Sequence, residues 1–337
     1  MYISVALPRI LYAADIWASP TYIMKREVKP IANKRFTMRL SSIQRAGTLA
    51  VVGGLRTSPT DALCAHADIL PAHLELDKTC HRAAARMATL LQAHPITKLY
   101  RRTYKRKVKR HKSPLHFLSL AFEAAHEELE TVMVAGRNPA SMGKHPFRTE
   151  IPGSKDDSKA ADEQAPEQLK IYSDGSAHDG NVGVAAILTK NGKTLRTLHY
   201  RLGSADEHTV FKAELAGILM GLHLIETNPR GNISYAIGVD NQAAIKALAS
   251  KFNKPGQYLA AEAFKAATRL RKTRGKKYSL TLRWTAGHLG ILSNEEADEE
   301  AKKVVEGVIS DPKSLPKMLR KQLKCSKSAA LQVESAV

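Results

Sequence analysis

Cysteine is scarce in this sequence, with three residues among 337: Cys64, Cys80 and Cys325. Their number is odd, their spacing is wide, and no Cys-x-x-Cys pair occurs, which excludes a disulfide framework and a zinc knuckle. Cys80 precedes His81, but no further residues follow this pair at the spacing of metal ligands, so we expect both in a buried helix. A reducing compartment fits this cysteine usage.

A long apolar run is also missing. Residues 1–20 are largely apolar, but Pro8, Arg9 and Asp15 interrupt them. The segment lacks the basic start of a signal peptide and the roughly 20 apolar residues that a membrane-spanning helix needs. We therefore expect a nuclear or cytoplasmic protein that is neither secreted nor bound to a membrane.

Positive charge, by contrast, is abundant. Lysine and arginine number 52 against 32 aspartate and glutamate residues, for a formal net charge of +20. This excess points to nucleic acid as a partner, although it can also serve solubility alone. The densest basic run, residues 101–112, indicates phosphate contacts, with a solvated surface or a nuclear-import signal as alternatives. Its candidate nucleic-acid-binding residues are Lys105, Arg106, Lys107 and Lys109.

Four acidic residues stand where the hydrophobic pattern turns them toward one place. Asp174 follows a short predicted strand, and Asp240 ends a strand of alternating pattern. Glu214 lies along the apolar stripe of a predicted helix, where a carboxylate is costly unless it is paired or bound to metal. Asp298 lies on the apolar face of a later predicted helix.

Convergence of these four carboxylates requires cations, because like charges raise one another's pKa. Oxygen ligands suit Mg²⁺ or Mn²⁺, and two such ions about 4 Å apart are the usual device for in-line cleavage of phosphodiesters. Taken singly, each acid is better explained as a surface or capping residue. Taken together, in the order strand, helix, strand, helix, they predict a nuclease that uses two Mg²⁺ ions, with Mn²⁺ as a substitute.

Three short motifs make local predictions. Asn191-Gly192, between two apolar strands, is a strong signal for a two-residue hairpin. Gly175 predicts a sharp exit of the chain after Asp174. Ser293 and Glu296 fit a capping box, which places Ser293 at the N-cap of a helix.

These motifs carry a family resemblance. From about Leu169 to Gly307 the chain resembles ribonuclease H, and more narrowly the ribonuclease H domain near the C-terminus of fungal-type non-LTR retrotransposon polyproteins. The most specific part is Trp284-Thr-Ala-Gly-His-Leu-Gly-Ile-Leu-Ser-Asn-Glu-Glu-Ala-Asp298. Ala286 stands where the family often has proline, and Ser293 where it often has glycine.

The resemblance implies an α/β, ribonuclease H-like fold: a five-stranded mixed sheet flanked by helices and preceded by an all-α basic region. It also implies endonucleolytic hydrolysis of the RNA strand of RNA–DNA hybrids. Asp174 would bridge two metals, Glu214 and Asp240 would each support one, and Asp298 would complete the second site. His288 would assist proton transfer or product departure. The candidate hybrid contacts are Ser176, Asn241, Gln242 and Asn294.

The expected domain organisation has four parts. Residues 1–135 form a helical basic region that resembles the connection between polymerase and ribonuclease H, 136–168 a flexible linker, 169–308 the ribonuclease H domain and 309–337 a basic tail. A fragment from Leu169 onward is expected to retain cleavage.

A polymerase domain is not expected in this chain. The only paired aspartates, Asp156-Asp157, lie in a polar segment rather than in an apolar strand. The chain therefore resembles the C-terminal fragment of a polyprotein, with a separate or formerly fused polymerase as a partner. Two alternatives remain open: an inactive retroelement remnant that binds nucleic acid, and a same-fold nuclease with a different substrate.

Overall fold

A computed structural model describes residues 2–18, 34–105, 113–121, 129–132, 145–228, 234–250, 254–275, 278–287 and 289–333. The chain divides into two compact units, Met1–Leu129 with Leu331–Val337, and Glu130–Ala330. Among the residues described, no helix is both long and apolar enough to cross a membrane.

The described residues of the first unit are mainly helical, as predicted for the region that precedes the sheet. After a π-helical turn at Tyr2–Ala6, its helices are α1 (Leu7–Ile10), α2 (Ala14–Trp17), α3 (Lys34–Val52), α4 (Thr60–His66), α5 (Ala72–Ala88), α6 (Pro95–Lys105) and α7 (Pro114–Ala121). α5 contacts α2, α3, α6 and α7, so it is the central helix of this unit. Cys80 and His81 are buried in α5, which confirms their assignment to a buried helix.

The second unit contains one mixed sheet with helices packed against it. Its elements are β1 (Arg148–Glu150), α8 (Lys155–Glu163), β2 (Leu169–His178), β3 (Asn181–Lys190), β4 (Lys193–Ser204), α9 (Val210–Thr227), β5 (Ser234–Val239), α10 (Gln242–Ala249), α11 (Gln257–Arg274), β6 (Ser279–Trp284) and α12 (Leu292–Val305). Two 3₁₀ turns, Pro312–Ser314 and Lys317–Arg320, follow, and α13 (Lys327–Val333) comes last.

The strand order is β1-β6-β5-β2-β3-β4. β2, β3 and β4 are antiparallel neighbours, whereas β2, β5, β6 and β1 pair in parallel. The predicted mixed sheet is confirmed, with six strands where five were expected. The parallel strands β2 and β5 lie side by side, so residues near their carboxyl ends come together at one place.

The hairpin between β3 and β4 follows from local sequence. Asn191 and Gly192 both adopt positive φ angles, 50° and 74°, while Lys190 pairs with Lys193. Positive φ at both central residues is what a type I′ turn requires, and asparagine followed by glycine supplies it at least cost. The predicted two-residue turn is confirmed.

Helix α9 is the central helix of this unit. Thr209 caps it by accepting a hydrogen bond from the Lys212 amide. It packs on β2 and β3 on one side and on α11 on the other, so apolar side chains well beyond one narrow stripe are buried. Glu214 is carried on this buried helix.

Residues 145–168, the described part of the expected flexible linker at 136–168, contain regular secondary structure. Within them the structure places β1, which adds a sixth strand beside β6, and the helix α8. Ser154 caps α8 by accepting from the Asp157 amide. This helix buries Ser158 and Asp162 instead of an apolar stripe, and polar burial of this kind leaves no hydrophobic pattern to detect.

The described part of the basic tail packs against the sheet. Leu315, Leu319 and Leu323 are buried in the same apolar cluster as the sheet. Lys317 and Lys321 lie between these leucines and are exposed.

Two local predictions were wrong. β2 does not end at Asp174 but runs on to His178, so Gly175 lies inside the strand. α12 begins at Leu292 rather than after Ser293, and no side chain caps it. Glu296, expected to close the capping box, accepts instead from Thr194.

Candidate metal centre

Asp174 lies in the middle of β2, opposite Ala185 of β3. Its side chain is 7% exposed. Burial raises the pKa of Asp174 to about 7, and the neighbouring charges of Asp240 and Asp298 contribute to this rise. An aspartate in this environment holds a proton near neutral pH unless a cation offsets its charge.

Glu214 faces Asp174 from the second turn of α9 and is almost fully buried. Gly175 brings strand and helix together, because a Cβ at this position would lie 2.8 Å from Ala213 Cβ. The Gly175 amide donates to Glu214 Oε1 at 3.3 Å. Among the described residues, Glu214 Oε2 has no hydrogen-bond partner although it is buried.

Burial raises the pKa of Glu214 well above its usual value, and the charges of Asp240 and Asp174 add to this effect. The Gly175 amide acts in the opposite direction by donating to the ionised form. Both buried acids are therefore poised to release protons when positive charge arrives.

Asp240 follows the last residue of β5 and is half-buried. Its backbone carbonyl accepts a hydrogen bond from the indole Nε1 of Trp284 at 2.8 Å. The preceding carbonyl, of Val239, accepts from the Thr285 amide at 2.9 Å. The end of β6 thus fixes the backbone that carries the Asp240 carboxylate.

These three acids form one cluster. Asp174, Glu214 and Asp240 each offer a carboxylate oxygen, and the three oxygens lie within 4.8 Å of one another. Their donor set is made only of hard oxygens, which suits Mg²⁺ or Mn²⁺. The buried Glu214 oxygen without a partner gives such an ion a coordination position that no described protein group uses, so the residues fit a divalent cation.

Asp298 approaches the cluster from α12. It lies close enough to Asp174 for a carboxyl–carboxyl hydrogen bond, and its side chain is 26% exposed. Lys302, one helical turn later, donates to Asp298 Oδ2 at 2.7 Å. That hydrogen bond raises the pKa of Lys302, as do the charges of Asp298 and Asp174. A lysine ammonium therefore balances part of the negative charge of the four acids.

Comparison with known families agrees with this geometry. Residues 166–306 match the family model described as RNase H. Over these residues the chain is similar to RNase H. The predicted RNase H-like fold is thereby confirmed, and no curated protein matches the sequence.

Three solved structures illustrate the similarity. RNase H1 from the halophilic archaeon Halobacterium salinarum NRC-1 is 15% identical, with 42% of this chain and 98% of that chain covered and a TM-score of 0.32. LC11-RNase H1 in complex with an RNA/DNA hybrid is 17% identical, with 41% and 99% covered and a TM-score of 0.32. The foamy viral protease-reverse transcriptase in complex with an RNA/DNA hybrid is 14% identical, with 42% and 20% covered and a TM-score of 0.34.

The four residues predicted to contact the hybrid differ in burial and in hydrogen bonding. Ser176 is half-buried in β2, and Asn294 is 5% exposed with an Oδ1 that lacks a partner among the described residues. Asn241 uses its Oδ1 to cap α10, and Gln242 accepts from Lys246 at 3.2 Å. The side-chain oxygens of these last two residues are therefore engaged within the protein.

Several predicted residues lie outside the described part of the chain or outside the domain. His288, Arg106, Lys107 and Lys109 are not among the described residues. Lys105 is exposed at the last position of α6, in the first unit.

The sequence patterns missed three residues that hydrogen-bond to the acids or to the segment beside Asp240. Lys302 had a detectable signal, because a cation four residues after an aspartate on a helix is placed to pair with it. Trp284 stands out in the sequence only as part of a motif, although its indole holds the Asp240 carbonyl. Ser158 had no local signal, because its partners lie more than 120 residues later.

Proposed function

We propose that the RNase H domain hydrolyses the RNA strand of RNA–DNA hybrids endonucleolytically, with two bound divalent cations. The observation that carries this proposal is the cluster of Asp174, Glu214 and Asp240 with an unpartnered buried oxygen on Glu214 among the described residues. The family match over residues 166–306 supports the same activity.

Asp174, Glu214 and Asp240 would hold the cations, with Asp298 completing the second position. When bound there, two divalent cations would supply an activated water and charge stabilisation of the leaving oxygen. The chain itself fixes the acids: the Gly175 amide orients Glu214, and the Trp284 indole orients the Asp240 backbone. Release of Asp298 from Lys302 would free a carboxylate oxygen for a cation.

Discrimination of RNA from DNA depends on the 2′-hydroxyl groups, which line the wide minor groove of an A-form-like duplex. Ser176, Asn241, Gln242 and Asn294 are proposed to contact the hybrid. His288 is proposed to assist proton transfer or product departure.

A retroelement origin is proposed for the chain as a whole, on the motif from Trp284 to Asp298. On this view residues 1–135 correspond to the connection between polymerase and RNase H, and the partner is a separate or formerly fused polymerase. The basic run at residues 101–112 would bind nucleic-acid phosphates.

The decisive experiment is incubation of the purified full chain with end-labelled RNA–DNA hybrid, duplex RNA and duplex DNA, in Mg²⁺ or in EDTA. We expect Mg²⁺- or Mn²⁺-dependent cleavage of the hybrid RNA alone, leaving 5′-phosphate and 3′-hydroxyl ends. Asp240→Asn serves as the matched control and should be inactive. Cleavage in EDTA, or equal cutting of duplex DNA, would reject the assignment; binding of hybrid without any cleavage would favour the inactive remnant.

A further inference from the structure

Helix α8 lies outside the segment that matches the RNase H family, yet it contacts the backbone beside the acids. Its Ser158 is fully buried. Ser158 Oγ donates to the Trp284 carbonyl at 2.8 Å and accepts from the Ala286 amide at 2.9 Å. One hydroxyl thus pairs with two backbone groups at the end of β6.

The sheet explains why these two groups need a side chain. β1 pairs with β6 only from Thr281 to Arg283. β1 therefore offers no strand partner to Trp284 or Ala286, which lie beyond this ladder. Buried backbone groups must find partners, and the Ser158 hydroxyl, being donor and acceptor at once, replaces the missing strand residue.

The opposite side of the same short segment holds Asp240. The Trp284 indole donates to the Asp240 carbonyl, and the Thr285 amide donates to the Val239 carbonyl. A Cβ on Gly287 would lie 3.6 Å from Asp240 Oδ2, so the backbone past Ala286 passes close to the carboxylate itself. Movement of residues 284–287 would therefore move Asp240.

We propose that Ser158 is a positioning residue for Asp240, acting through the backbone of Trp284 and Ala286. This inference rests on the proposed function for its effect on catalysis, but the contact itself is independent of it. The helix that precedes the RNase H domain is then part of the active enzyme, because it locks the end of β6 against the metal-binding acids.

A purely structural role for Ser158 would be to hold α8 on the sheet. Ser154 provides the matched control for that role. It is exposed, and it caps the same helix by accepting from the Asp157 amide, a hydrogen bond that stays within the helix. Ser154→Ala should loosen α8 from its N-terminus, whereas Ser158→Ala removes the contact with the segment that holds Asp240.

The test compares full-length Ser158→Ala, Ser158→Cys and Ser154→Ala with the parent chain. Hydrolysis of hybrid in saturating Mg²⁺ should show kcat lowered on the order of tenfold in Ser158→Ala with KM unchanged. The half-saturating Mg²⁺ concentration should rise in the same variant. Ser158→Cys keeps the approximate size of the side chain and a weak hydrogen-bond donor, so its kcat should lie between those of Ser158→Ala and the parent. Ser154→Ala should keep the parent's kcat even where its melting temperature falls.

A second readout does not depend on activity. The chain has two tryptophans, so in a Trp17→Phe background the emission reports Trp284 alone. Ser158→Ala should increase quenching of Trp284 by acrylamide and weaken the response of its emission to Mn²⁺, and Ser154→Ala should do neither. Equal kcat and equal quenching in Ser158→Ala and Ser154→Ala, with both folded, would overturn the proposal. If the parent chain cleaves no hybrid, the proposed function fails, and the two fluorescence measurements alone decide whether Ser158 positions Asp240.

Discussion

Gly175 and Glu214 meet where β2 crosses the start of α9: the Gly175 amide donates to Glu214 Oε1 at 3.3 Å. No larger residue fits at this point, because an added Cβ would lie 2.8 Å from Ala213 Cβ and 3.2 Å from the Glu214 backbone nitrogen. The backbone of the strand is therefore part of the acid cluster, and the other Glu214 oxygen is left for a cation.

Gly175→Ala should lower kcat by about a hundredfold, because pushing α9 away from β2 displaces Glu214 by a fraction of an ångström or more. Steady-state cleavage of hybrid at saturating Mg²⁺ measures the change. Gly153→Ala is the control, since its Cβ would have its nearest neighbour at 4.0 Å on an exposed surface. A Gly175→Ala enzyme as active as Gly153→Ala would contradict the close approach.

Asp240→Asn should abolish cleavage and stabilise the metal-free protein increasingly as pH rises from about 5 to about 8. Burial, and then the Asp240 charge, raise the pKa of Asp174 to about 7 and that of Glu214 well above its usual value. An acid whose pKa is raised by folding contributes stability below its unfolded pKa and loses it as pH rises through the folded value. Removal of the Asp240 charge reduces that loss.

The measurement is the melting temperature of both proteins in EDTA across this pH range, with the difference between them as the result. The difference isolates the acid cluster, because titrating groups outside it contribute equally to both proteins. Addition of Mg²⁺ at the alkaline end of the range should stabilise the parent more than Asp240→Asn. A difference that shrinks with rising pH would show that Asp240 does not interact with ionised neighbours.

The convergence of three acids was predictable because each is marked by its own element: a strand pattern before Asp174 and Asp240, and an apolar stripe around Glu214. The Asn191-Gly192 turn was predictable for the same local reason. The helix α8 was not predictable, because its Ser158 makes hydrogen bonds to residues more than 120 positions later in the sequence. The capping-box prediction failed because a long-range contact replaced the local one: Glu296 accepts a hydrogen bond from Thr194 of β4.

Glu130 offers a test of how the ends of the second unit are held. It is 1% exposed, and its carboxylate accepts from the Gly256 amide at 2.7 Å and from the Lys327 amide at 2.8 Å. Glu130→Ala removes both of these buried hydrogen bonds and should lower the free energy of unfolding by about 2 to 4 kcal/mol. Urea unfolding measures the loss, with the exposed Glu163→Ala as control. Equal stability of the two variants would show that Glu130 fastens neither segment.

The basic run should contribute affinity without specificity. Replacement of Lys105, Arg106, Lys107 and Lys109 by serine should weaken binding to hybrid and duplex DNA alike and flatten the salt dependence. Removal of one phosphate interaction reduces the slope of log affinity against log salt by about 0.9, a duplex-DNA value used as a guide for hybrids. Unchanged salt dependence would assign the run to a solvated surface or an import signal. Loss of cleavage at saturating hybrid would instead make the first unit part of the active enzyme.

Truncated proteins test whether the segment that resembles the family is active without β1 and α8. A fragment that begins at Leu169, where the family resemblance begins, would lack β1 and α8. It would also lack Glu150 and Glu167, which pair with Arg283, and Ser158, which pairs with Trp284 and Ala286. We therefore expect the fragment 130–333 to cleave hybrid and the fragment 169–333 to lose most of its activity, contrary to the expectation from the sequence. Arg283 would remain in the shorter fragment as a buried charge without its two carboxylates, which is strongly destabilising. Circular dichroism and hybrid cleavage of the two fragments, compared at the same Mg²⁺ concentration, provide the measurement. Full activity of the 169–333 fragment would show that α8 is dispensable and that the acids hold their geometry within the family segment alone.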